Sequence, residues 1–172
     1  NSGISSKIGD LIFAYFDQNN SDLSIEKALQ AAKRMSEINK KANSLTSETS
    51  KIKRFILLSH GDAIVGNLSG YSSSIEITAI GTPVNLLSRI DEVTKKVEVQ
   101  KILESGDIIM SSDFYKRISS DVSQKEIIRI SLIDLKVKLR DFEHVTELFI
   151  YRPGADLPNA STEFTGAAAC NI

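Results

Sequence analysis

The chain has 172 residues, 41% hydrophobic and 25% charged, which suits one globular domain with a sizeable core. A formal net charge of −1 excludes a global field for nucleic acid or an anionic membrane, and no tryptophan supports a strand-binding groove. The single cysteine, Cys170, and the two histidines, His60 and His144, exclude an intrachain disulfide, a cysteine metal cluster and a histidine-rich site.

In chain order, Ile4 to Ile8 and Leu11 to Phe16 read as two strands joined tightly at Gly9-Asp10. An amphipathic helix follows, with Ile25, Leu29, Ala32, Met35 and Ile38 on its apolar stripe and Asp22 or Ser24 as its cap. "TSETSK" is a polar loop. "RFILLSHGDAIVGNLSGY" predicts two strands around His60-Gly61-Asp62, and "SIEITAI" predicts another. Thr82 is placed to cap the next helix, with Pro83 at its first position and Val84, Leu87, Ile90 and Val93 as the buried stripe. Asn85 and Arg89, four apart, share a neighbouring face.

A polar segment leads to a short strand in "DIIMSS" and a short helix in "SDFYKRISS". "EIIRISLIDLKVKL" and "HVTELFIYR" read as extended, the second alternating through Val145, Glu147, Phe149 and Tyr151. Strand pairs too close for helical crossovers predict an α+β domain around a mainly antiparallel sheet. From Pro153 onward the sequence is small and polar, so residues 153–172 are expected to be a mobile tail or an expression remnant. No apolar run reaches membrane-spanning length and no signal-peptide pattern opens the chain. A reducing, cytoplasmic setting is expected, although a longer parent chain could hold a membrane anchor.

Taken singly, the polar residues have ordinary explanations. Asp10 and Asp62 suit turns, Thr78 is a β-branched strand residue, Asn85 and Arg89 suit an exposed helix face, and Arg140 suits a solvated strand. Their order carries more. "SKIGDLIFAYF", an amphipathic helix, "ILLSHGDAIVGNLSG", "ITAIGTPVNLLSRI" and "LKVKLRDFEHVTELFIY" follow one another. This succession resembles the class III nucleotidyl cyclase catalytic domain. There the parts read K-x-I-G-D-x-x-x-A-x-F, then I-H-x-G-x-x-x-A-G-x-x-G, then T-V-I-G-D-x-V-N-x-A-x-R, with a late K-G-K/R strand pair.

The resemblance implies a ferredoxin-like cyclase fold over residues 1–152, with the first strand and helices of the domain outside the sequence. It implies conversion of ATP, less readily GTP, into a 3′,5′-cyclic monophosphate and pyrophosphate. Two divalent cations, Mg²⁺ or Mn²⁺, would assist. By position, Asp10 is the second metal-binding aspartate, the first belonging to an earlier strand. Asn85 orients the ribose, Arg89 meets charge developing on the α-phosphate, and Arg140 holds the terminal phosphates. Thr78 stands where adenylate-type members carry Asp or Thr, and leans toward adenine. Family sites form between antiparallel subunits, so a homodimer with composite sites is expected, along with a regulatory domain in a longer parent chain. The departures are Ser6 at the base-selecting lysine position, with Lys7 displaced by one, Ser59 for histidine, Thr82-Pro83 for Asp-x, Leu87 for a small residue and Leu139 for glycine. They suit a second reading as well, a cyclase-homology module that binds nucleotide or a partner without turnover.

Overall fold

The computed structural model describes residues 2–8, 11–16, 20–67 and 77–155. An antiparallel pair opens it, β1 (Ser2–Ile8) and β2 (Leu11–Phe16), with Ile8 opposite Leu11. Helix α1 spans Ser21–Ser44. Asn20 caps it, in place of the expected Asp22 or Ser24: the chain enters extended there, and the Asn20 side chain accepts the Asp22 N–H at 2.8 Å. Ile25, Ala28, Leu29 and Ala32 are buried as the stripe predicts, but Met35 and Ile38 are 49% and 68% exposed. Ser36 and Asn39 take the buried positions in their place. The last turns of α1 lie on the turn around Gly106, which offers polar groups: Ser36 Oγ donates to the Gly106 carbonyl at 2.7 Å and Asn39 Nδ2 to Ser105 Oγ at 2.8 Å.

Strands β3 (Ile56–Leu58) and β4 (Ile64–Asn67) flank the His60-Gly61-Asp62 turn as expected. They belong to different sheets: β4 pairs antiparallel with β5 (Ile77–Ile80) and β3 pairs parallel with β6 (Ile108–Ser111). The parallel pair is joined by a helical crossover, α2 (Thr82–Thr94) and the short α3 (Val97–Gln100), the latter inside the segment read as polar. After α4 (Ser112–Ile118), strands β7 (Ile127–Ser131) and β8 (Glu147–Tyr151) complete a four-stranded sheet in the order β3-β6-β8-β7. Every pairing in that sheet except β3–β6 is antiparallel. The result is the expected α+β architecture, a mainly antiparallel sheet flanked by helices.

Two extended readings need correction. Past Ser131 the chain turns back, with Lys136 at φ 55° and the Val137 N–H donating to Leu132 O at 2.9 Å. Lys138 and Arg140 therefore stand on a loop, because Leu132, Leu139 and Phe142 fold into the core instead of continuing the ladder. Alternating exposure also fails in β8. Leu148 and Ile150 face the cluster containing α2, while Phe149 and Tyr151 face the one containing α1 and α4. A strand between two neighbours, with helices on both faces, hides both of its faces. Val145 lies before the strand and packs against the α2 side.

The end of β8 is fixed electrostatically. Arg152 Nε donates to Asp107 Oδ1 and Nη2 to Asp107 Oδ2, each at 2.9 Å. The Asp107 hydrogen bonds raise the Arg152 pKa above its ordinary value, against the opposing effect of burial. Pro153 and Gly154, expected to begin a mobile tail, are tied down. The Pro153 carbonyl accepts from Lys40 Nζ at 2.7 Å and the Gly154 N–H donates to Glu126 at 2.6 Å. Residues 156–172 of that tail lie outside the described residues.

Candidate active site

The start of α2 is positioned from the β3–β4 turn. Gly81, not Thr82, occupies the cap position, and its carbonyl accepts the N–H groups of Val84 and Asn85, both at 3.1 Å. A side chain there would bring a Cβ to 2.6 Å from the Asp62 carbonyl oxygen and 2.9 Å from Ala63 Cα, so only glycine fits. Ser59, the residue in the family's histidine position, donates its Oγ to the Pro83 carbonyl at 2.8 Å. The helix begins one residue earlier than expected, and it buries Pro83, Leu86, Ile90 and Val93, with Val84 and Leu87 half-buried beside them.

Asn85 is exposed and Arg89 half-buried on the same side of α2. Arg89 is engaged at both ends of its fork. Nη1 meets Glu92 Oε1 at 2.7 Å, one turn along, and Nη2 meets Asp141 Oδ2 at 3.2 Å, from the loop after β7. Arg140 Nε lies 3.7 Å from the same Asp141 oxygen. The structure thus brings Arg89 and Arg140 together around one anionic oxygen. A planar guanidinium suits this, since it offers donors along two edges to carboxylate or phosphate oxygens.

Thr78 lies on β5 directly across from Gly66. Asp10 lies outside the described residues. Among the described residues no three His, Cys, Asp or Glu side chains gather to hold a metal ion, so metal binding rests on the resemblance at Asp10. No helix among the described residues is long and apolar enough to cross a membrane.

Sequence reasoning missed Glu92 and Asp141. Glu92 had a readable signal, a carboxylate three residues after Arg89 on a helix. Asp141 had none, because its approach to Arg89 depends on how the loop after β7 folds back.

No family model matches the chain. An adenylate cyclase of Anabaena cylindrica is 26% identical over 144 residues, 83% of this chain and 26% of that protein. The chain therefore spans about a quarter of the length of the curated relative it matches. An adenylate/guanylate cyclase/hydrolase from Silicibacter pomeroyi superposes with a TM-score of 0.61 at 19% identity, covering 90% of this chain and 74% of that one. An adenylyl cyclase from P. aeruginosa gives 0.57 at 19%, covering 91% and 75%. The likeness in structure shows the fold, that of the class III nucleotidyl cyclase domains. The curated relative agrees with the family that the motif order resembles.

Proposed function

We propose that this domain, which has the class III cyclase fold, is the catalytic domain of an adenylate-type cyclase that makes 3′,5′-cyclic AMP and pyrophosphate from ATP in signal transduction. The observation that carries this reading is the convergence of Arg89 and Arg140 on one anionic oxygen, with Asn85 one turn before Arg89 on the same side of α2. In the reaction the ribose 3′-oxygen attacks the α-phosphorus. The bond from that phosphorus to the pyrophosphate oxygen breaks, and the 3′-hydroxyl proton leaves to solvent. Asn85 would hold the ribose so that the 3′-oxygen lies in line. Arg89 would meet the charge that grows on the α-phosphate oxygens, and Arg140 would bind the terminal phosphates. Thr78 would address the adenine edge. Two divalent cations, Mg²⁺ or Mn²⁺, one of them at Asp10, would supply Lewis-acid stabilisation of the attacking and leaving oxygens.

A homodimer is part of the proposal, with Asp10 and the Asn85/Arg89 pair of each site drawn from different subunits. One apolar surface supports it. Ile64 and Ile80 are register partners on β4 and β5, and they are 75% and 54% exposed. A second copy covering them would remove that area from water. A regulatory domain elsewhere in a longer, cytoplasmic parent chain is also proposed.

The test is production of cyclic AMP from ATP by the full-length protein with Mg²⁺ or Mn²⁺. Turnover that depends on Asn85 and Arg89 is the expected result. A second reading, a nucleotide-binding module without turnover, is favoured by one feature: Glu92 and Asp141 already neutralise Arg89. It predicts ATP affinity with no cyclic product.

A further inference from the structure

We propose that Asp141 is an exchangeable counter-ion of the phosphate site: its carboxylate occupies the place of a phosphate oxygen between Arg89 and Arg140 and must leave for a polyphosphate to bind. The inference deepens the cyclase reading and rests on it for the identity of the substrate. Its geometry is independent of that reading.

Three observations support exchange over permanent pairing. Asp141 Oδ2 is shared: it accepts from Arg89 Nη2 at 3.2 Å and lies at ion-pair distance, 3.7 Å, from Arg140 Nε, so a single anionic oxygen faces both guanidinium groups. The two partners of Arg89 also differ in attachment. Glu92 is anchored on the same helix, whereas Asp141 stands on the loop between β7 and β8 with its side chain 67% exposed. With the carboxylate end of the pair in solvent, its Coulomb attraction is screened, so a polyanion of higher charge can displace it. Finally, Asp141 sits at φ 67°, where its N–H donates to Glu143 Oε1 at 3.3 Å. A local turn therefore presents the carboxylate to the arginines.

Glu92 and Asp141 consequently have different roles. Glu92 holds one edge of the Arg89 fork and orients it. Asp141 masks the other edge while the site is empty, and repels incoming phosphate until it swings away. Asp141 is a residue that sets affinity, and it takes no part in the bond changes.

The test uses Asp141→Asn in the full-length protein. Asparagine keeps the shape and tolerates the left-handed backbone, so the loop should persist. Binding of inorganic triphosphate, without divalent metal, is measured by calorimetry. Removing the competing charge should tighten binding roughly fivefold. The gain should vanish in the Asp141→Asn/Arg89→Ala double variant. In turnover the same substitution should lower the KM for ATP and leave kcat nearly unchanged. Triphosphate affinity that is unchanged, weakened or undetectable in Asp141→Asn would overturn the inference, as would a gain that survives loss of Arg89. The two readings can fail separately. A gain in triphosphate affinity in a protein that makes no cyclic AMP supports the exchange and removes the cyclase proposal. Cyclisation without the gain does the opposite.

Discussion

Arg89 carries a full charge with its side chain only 19% exposed, and its position depends on what neutralises it. In the proposed reaction its charge matters most when the α-phosphate becomes pentavalent, so Arg89→Ala should lower kcat by roughly two to three powers of ten with a smaller change in KM. Steady-state kinetics on ATP checks this. Arg89→Lys should restore little, because a point charge cannot hold Glu92 and a phosphate oxygen on two edges at once. Gly81 is the other residue on which the site depends. Gly81→Ala would drive a methyl into the Asp62 carbonyl and should cost about 1–3 kcal/mol in urea unfolding, with α2 displaced. The Asn85/Arg89 pair was legible in the sequence because helical spacing alone puts both on one side. The convergence of Arg89 and Arg140 was not, since their meeting point is an aspartate 52 residues from Arg89.

Helix α1 shows where periodicity succeeds and where it gives out. Its first turns follow the apolar stripe because they face Met110, Phe114 and Phe149. Its last turns face the backbone around Gly106, and there a small hydroxyl and an amide serve better than Met35 or Ile38. A hydrophobicity pattern cannot reveal that, because the partners are the Gly106 carbonyl and the Ser105 hydroxyl of a distant turn. The alternation read into β8 failed for a related reason, since a strand covered on both faces has no solvent side. The cap of α1 provides a clean test of element energetics. Asn20→Ala should lower stability by about 1 kcal/mol in denaturant unfolding and leave nucleotide affinity unchanged.

Across the whole molecule, one sheet with helices on both faces carries α2, and with it Asn85 and Arg89, on the crossover between β3 and β6. The Arg152–Asp107 pair closes the far end of β8, with side chains 12% and 1% exposed. Arg152→Leu would leave the buried Asp107 without its counter-ion, with only the Glu104 N–H still donating to it, and should cost about 3–5 kcal/mol in thermal or denaturant unfolding. Because the raised pKa of Arg152 lies above its unfolded value, the stabilisation from this guanidinium is fully present below the unfolded value. It is lost only as pH rises through the higher folded one, beyond the range of ordinary assays. The proposed catalytic site is a larger unit, shared by two copies of this fold. Its most direct test mixes full-length Asp10→Ala with full-length Arg89→Ala, each inactive alone, under conditions in which subunits exchange. Each heterodimer then holds one site with an intact Asp10 from one chain and an intact Arg89 from the other, and equal mixing predicts recovery of about a quarter of the unmutated cyclic AMP production. Subunit exchange with no recovery would contradict the shared site.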